Sequence, residues 1–186
     1  AALLIDSVAF LVTPRNRSEI HPRVYAQPMR IEDKGPRPNA FNIESATRQN
    51  ENYRLVAWTG KHLQVTLMSI PPGESIGLEA HPGTDQFLRV DAGRGKAVMG
   101  PARDQLDFEQ DVSDGWSVQI PSGTWHDVIN TGDVSLQLYT IYAPSHHAAG
   151  AVQPTRADAE REEADGIDEP PAWTLQPAEN DPDQHA

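Results

Sequence analysis

The stretch Gly115-Trp116-Ser117-Val118-Gln119-Ile120-Pro121-Ser122-Gly123-Thr124-Trp125-His126-Asp127-Val128-Ile129-Asn130 decides how this chain is read. It predicts a strand over 116–120, a tight Pro121-Ser122-Gly123 turn, and an exit strand over 124–130. Proline fixes one backbone angle of such a turn, and glycine takes the angle that side-chain-bearing residues resist. Two-residue alternation puts His126 on one face with Thr124 and Val128. The adjacent Trp125 then points the other way, toward the barrel exterior or a subunit contact.

A second stretch upstream gives this histidine company. Gly73, Glu79, His81, Gln86 and Gly93 follow one another at gaps of five, one, four and six residues. If 75–81 is a strand, Glu79 and His81 share a side, and a curled sheet brings Gln86 and His126 to join them. Together the two stretches resemble the paired motifs of the cupin superfamily. The second motif matches throughout. The first departs twice, with Glu79 where cupins usually carry their first histidine and Gln86 where they usually carry glutamate. The resemblance covers roughly residues 52–143. It implies an all-β fold: a double-stranded β-helix, or jelly-roll barrel, with an N-terminal arm and a short C-terminal helix and tail.

The rest of the chain fits that expectation. Residues 1–50 read as an arm, with Leu3 to Val12 an added edge strand or a cover for a partner subunit, and Ile43 to Gln49 a short helix capped by Asn42. Residues 51–144 read as the barrel. Its expected strands are 54–58, 63–70, 75–81, 86–90, 96–99, 116–120, 124–130 and 134–142, with 101–107 a polar loop. Residues 145–186 read as a linker, a charged helix opened by Thr155 and Asp158 and stopped at Gly166, and an acidic, proline-rich tail that is disordered or draped on the surface. His146 and His147 read as solvated histidines of the linker. Trp58, Trp116, Tyr139 and Tyr142 read mostly as core.

Composition removes several function classes. The net charge of -12 argues against nucleic acid or an anionic membrane surface as partner. Residues 155–186 carry ten acidic and two basic side chains, so eight of those twelve charges sit in the tail. With no cysteine there are no disulfides, thiolate nucleophiles or blue-copper sites. No apolar run is long enough to span a membrane. Arginine and lysine do not cluster with the motifs, which disfavours phosphorylated substrates.

The candidate site is Glu79, His81, Gln86 and His126, with His81, Gln86 and His126 the expected metal ligands. Glu79 is either a fourth ligand or a base beside the metal. With Glu79 bound, the set suits Fe(II) or Mn(II). Without it, two nitrogens and a neutral oxygen favour a late metal, and copper heads the affinity order. Zinc and a metal-free polar core are further alternatives. The His81, Gln86 and His126 set also resembles that of compact mono-copper cupins that cleave cellulose oxidatively. That resemblance implies a copper oxidoreductase using dioxygen or peroxide, a polysaccharide substrate, secretion and a homodimer. A divalent-metal isomerase or epimerase of a small sugar, or a binding protein without catalysis, are the competing readings.

Overall fold

The computed structural model describes residues 30–176. The strand expected at Leu3 to Val12 and the last ten tail residues lie outside them. In chain order the elements are α1 (Ile43–Gln49), β1 (Arg54–Thr59), β2 (Gln64–Ile70), β3 (Asp85–Ala92), β4 (Arg94–Gly100), β5 (Phe108–Ser113), β6 (Ser117–Ile120), β7 (Trp125–Asn130), β8 (Leu136–Ala143), β9 (Val152–Gln153) and α2 (Arg156–Ala164). They build two antiparallel sheets, a six-stranded one in the order β6-β3-β8-β2-β1-β9 and a three-stranded one in the order β5-β4-β7. This is the expected jelly roll.

β8 lies at the centre of the larger sheet, and its sequence shows why. Leu136, Leu138, Thr140 and Tyr142 are buried, and Gln137, Tyr139 and Ile141 between them are half-buried. Period-two burial of this kind fixes the register, because a one-residue slip would turn every core side chain outward. The buried face meets Ile70, Leu88, Val90, Ala97, Val112, Val118, Ile120 and Val128 in one core between the sheets. A smaller cluster on the outer side joins Ala46 of α1 to Ala57 and Leu67 of the sheet. Asn42 caps α1 as expected, accepting from the Ser45 N–H at 2.9 Å.

Four expectations are corrected. The segment 75–81 is not a strand; it touches β7 only through isolated bridges, Ser75 with Ile129 and Glu79 with His126. Gly77 is the reason. Its φ of +97° leaves the extended region, and its N–H turns to Asp127 Oδ1 at 3.2 Å and Ser75 Oγ at 3.1 Å. β5 was hidden in the sequence because all its residues but Val112 are exposed, so no apolar alternation marks it. The segment after β8 does not leave the barrel as a linker, since Val152–Gln153 pairs with β1 as a new sheet edge. Trp116 is no core residue, being 46 % exposed.

α2 follows the sequence closely. Thr155 and Asp158 form a reciprocal capping box, and Gly166 at φ +66° ends the helix. The chain then doubles back. Ile167 N–H bonds the Glu162 carbonyl at 2.8 Å, and Leu175 N–H bonds the Lys61 carbonyl at 2.7 Å. The described part of the tail is therefore draped on the barrel, and it buries Asp168 and Thr174.

Candidate metal centre

Hydrogen bonds across the barrel mouth assemble the site. Glu79 and His126 exchange both backbone bonds, at 3.1 and 2.9 Å, which sets their side chains next to each other. The His81 carbonyl accepts from the Gly123 N–H at 3.1 Å and from the Thr84 N–H at 3.2 Å. Ser122 bonds the same loop twice: its Oγ accepts from the Gly83 N–H at 2.6 Å, and its N–H donates to Asp85 Oδ1 at 2.9 Å. The Pro121-Ser122-Gly123 turn thus clamps the loop that carries His81. The broken segment 75–81 still delivers Glu79 and His81 to one point, through these clamps and not through strand alternation.

Glu79, His81 and His126 form one cluster whose ligand atoms all lie within 4.8 Å of one another. Glu79 Oε1 is 3.1 Å from His81 Nε2 and 3.6 Å from His126 Nε2. Three donors each about 2.1 Å from one ion, at right angles, would sit about 3 Å apart. The spacing fits a shared ion. The tautomer fits as well. His126 Nδ1 lies 2.9 Å from the Thr124 carbonyl, which can only accept, so the ring proton is on Nδ1 and Nε2 keeps its lone pair. Both Nε2 atoms are buried and lack a hydrogen-bond partner of good geometry among the described residues. Burial works to raise the Glu79 carboxyl, but the close approach of His126 and His81 holds it well below the usual carboxylate range.

Gln86 sits on the inward face of β3 with Leu88 and Val90, and is 3 % exposed. Its Nε2 donates to Thr140 Oγ1 at 3.0 Å, and its Oε1 is buried without a partner among the described residues. An acceptor left dry in this way suits a ligand hydroxyl, a water or an ion. Of the residues flanking the ligands, Asp85 and Asp127 accept backbone N–H groups and Arg89 pairs with Asp91. The Trp125 ring is half-buried and lies under the Arg103 guanidinium at 5.4 Å, away from the triad as alternation required.

His146 and His147 are the residues that sequence reading missed. The His146 ring centroid is 4.1 Å from His81 and 5.5 Å from Tyr142. Burial first, then the charges of His147 and His81, pull His146 down to about 3. It is a neutral imidazole at the rim of the triad. His147 is buried, with Nδ1 2.8 Å from Asp168 Oδ2. The only sequence signal was position: both follow β8 directly, four and five residues after the inward Tyr142.

Comparison with known proteins agrees with this architecture. Residues 66–142 match the family model for the cupin domain, a span that includes Glu79, His81, Gln86 and His126. The chain is 54 % identical over 129 residues to YrkC, an uncharacterized protein of Bacillus subtilis (strain 168), covering 69 % of each chain. An uncharacterized protein of Acanthamoeba polyphaga mimivirus is 38 % identical over 116 residues, which is 62 % of this chain and 71 % of the relative. The crystal structure of BH2720 from Bacillus halodurans superposes with a TM-score of 0.70 at 53 % identity, covering 70 % of this chain and 99 % of that one.

Proposed function

This chain belongs to the cupin family, and on that premise we propose that it is a metal-dependent oxidoreductase. It holds one divalent ion between Glu79, His81 and His126 and acts with dioxygen on a neutral, hydroxyl-rich substrate such as a sugar or polysaccharide end. The observation that carries the reading is the convergence of one carboxylate oxygen and two lone-pair imidazole nitrogens on a single point. Two histidines and one carboxylate with open positions are the donor set of non-haem Fe(II) oxygenases. Because Glu79 lies inside the set, iron is preferred here over copper, which the His81, Gln86 and His126 set alone would favour.

Bound there, Fe(II) supplies one-electron chemistry with dioxygen. The protein supplies the rest. Glu79 stays ionised and offsets part of the ion's charge. Thr124 fixes the His126 tautomer. Gln86 Oε1 offers an acceptor for a substrate hydroxyl. Tyr142 and His146, both uncharged at neutral pH, line the surroundings without attracting an anion.

The test uses metal-free full-length protein. Fe(II) is added without oxygen, followed by nitric oxide, or Cu(II) is added to a parallel sample, and the EPR spectra are recorded for the parent, Glu79→Ala and His126→Ala. A high-spin iron-nitrosyl signal that both variants lose supports the reading. A tight type-2 Cu(II) signal that ignores Glu79→Ala, with no nitrosyl signal in the parent, returns the assignment to copper. Metal uptake indifferent to both variants refutes the site.

A further inference from the structure

A second buried polar cluster lies beside the metal triad. Asp168, brought in by the segment that follows α2, is its centre. Its Oδ2 accepts from His147 Nδ1–H at 2.8 Å, from Gln153 Nε2 at 3.2 Å and from Arg54 Nη1 at 3.3 Å. Its Oδ1 accepts from the Ala148 N–H at 2.9 Å. Gln64 holds the histidine loop from the other side. Its Oε1 accepts from the N–H groups of His147 and His146 at 2.9 and 3.2 Å, and its Nε2 donates to the His147 carbonyl at 2.9 Å.

Two atoms of this cluster stand outside this accounting: Arg54 Nε and His147 Nε2 are buried without a hydrogen-bond partner among the described residues. The proton on Nδ1 is committed to Asp168, so Nε2 carries a lone pair. A buried acceptor left unmet costs about 1–3 kcal/mol. The His147 ring stands edge-on to Tyr142 at 5.0 Å and to His146 at 4.9 Å. Those two rings lie 5.7 and 4.1 Å from His81. His147 therefore belongs to the aromatic wall that the metal triad shares.

We propose that His147 is a base of this site, that its Nε2 takes the proton of a ligand hydroxyl bound beside Tyr142, and that Asp168 is the positioning residue that fixes its tautomer. In the transfer the O–H bond breaks, an N–H bond forms at Nε2, and the bonding pair stays on the oxygen. Asp168 then faces an imidazolium and stabilises it. The charged and titratable groups around the ring are Asp168 after α2, Arg54 from β1, Tyr142 from β8, His146 of its own loop and, further off, Glu79. Burial first and the Arg54 charge next bring His147 down to about 4, against the pull of Asp168, so the ring is neutral at neutral pH. The choice of a hydroxyl-bearing ligand rests on the function proposed above; the geometry of the His147 and Asp168 pair does not.

The experiment is nitrogen-15 NMR of histidine-labelled, Zn(II)-loaded full-length protein, with D-glucose as the hydroxyl-bearing probe. His147 is expected as the Nδ1–H tautomer. Its Nε2 resonance should move as glucose is added, and Asp168→Asn should abolish the single tautomer. A proton on Nε2 in the parent, or an Nε2 resonance unmoved up to the solubility limit of glucose, overturns the base. The two proposals fail separately. A moving Nε2 without an iron-nitrosyl signal removes the iron and keeps the base. A nitrosyl signal with an unmoved Nε2 does the reverse.

Discussion

His147, like its neighbour His146, makes stability depend on pH in the range where an ordinary histidine titrates. Its folded value of about 4 lies below the 6.5 of an ordinary histidine, so the unfolded chain takes up a proton there that the folded chain refuses. The sign follows. This contribution is fully present above about pH 6.5 and is lost as the pH falls toward about 4. Between about pH 6.5 and about pH 5 the unfolded residue goes from about half to almost fully protonated while the folded one stays mostly neutral, worth about 1.6 kcal/mol at 1.36 kcal/mol per pH unit. With a urea slope near 2 kcal/mol per molar, the midpoint should drop by about 0.8 M across that interval from this residue alone. Metal-free parent and His147→Gln are unfolded in urea at both pH values and followed by tryptophan fluorescence. The variant should lose about 0.8 M less than the parent over the interval, whatever its stability at the upper pH. Burial raises the Asp168 carboxyl, but hydrogen bonds from His147, Ala148 and Gln153 hold it well below this interval. Equal pH dependence in the two proteins would refute the argument that His147 is buried as a neutral ring.

Three further outcomes follow from the same geometry. Glu79→Gln keeps the shape of the triad but removes its charge, so Fe(II) affinity measured by anaerobic calorimetry should fall by more than the about 10–100-fold that loss of an outer hydrogen-bond partner costs. Gln86→Leu removes a buried oxygen with no partner among the described residues but also the donor to the buried Thr140 hydroxyl, so metal-free stability in urea should fall by about 1–3 kcal/mol. Arg54→Met takes the guanidinium from a carboxylate buried 3.3 Å away, and breaking such a pair costs about 3–5 kcal/mol, so the Tm by circular dichroism should drop by at least ~6 °C.

Much of the fold was written in spacing. The alternation of β8 and the two glycine-flanked motifs fixed strands, register and barrel, and Glu79, His81 and His126 were legible as one site. The route to that site was not. Gly77 breaks the strand that was to align Glu79 with His81, and the alignment comes instead from backbone clamps to β7 and the Ser122 turn. Gln86 was read as a ligand, and the structure shows it buried and anchored to Thr140 with one oxygen free. His147 was illegible for another reason. Its burial depends on Asp168, 21 positions away in an acidic segment whose composition reads as solvated. A charge whose partner arrives only through the fold leaves no local pattern. Trp116 failed in the opposite direction, since aromatic character does not say which face of a strand entry is covered.

The central place of β8 also governs the order in which the chain can fold as it is made. β2 is bordered by β1 on one side and β8 on the other, and both neighbours of β3 come later in the chain. Leu136 is translated 66 residues after Ile70 (136 less 70), and ribosomes add about 5–20 residues per second. For about 3–13 s, then, the nascent chain carries β2 with an open hydrogen-bonding edge and much of its apolar face uncovered. The larger sheet is joined in a single closing event, the insertion of one strand between two that have waited for it, after which only the short edge strand β9 is added. Chaperones that shield strand edges have their task during that interval, and a ribosome pause just before codon 136 would lengthen the exposure more than a pause anywhere after β8.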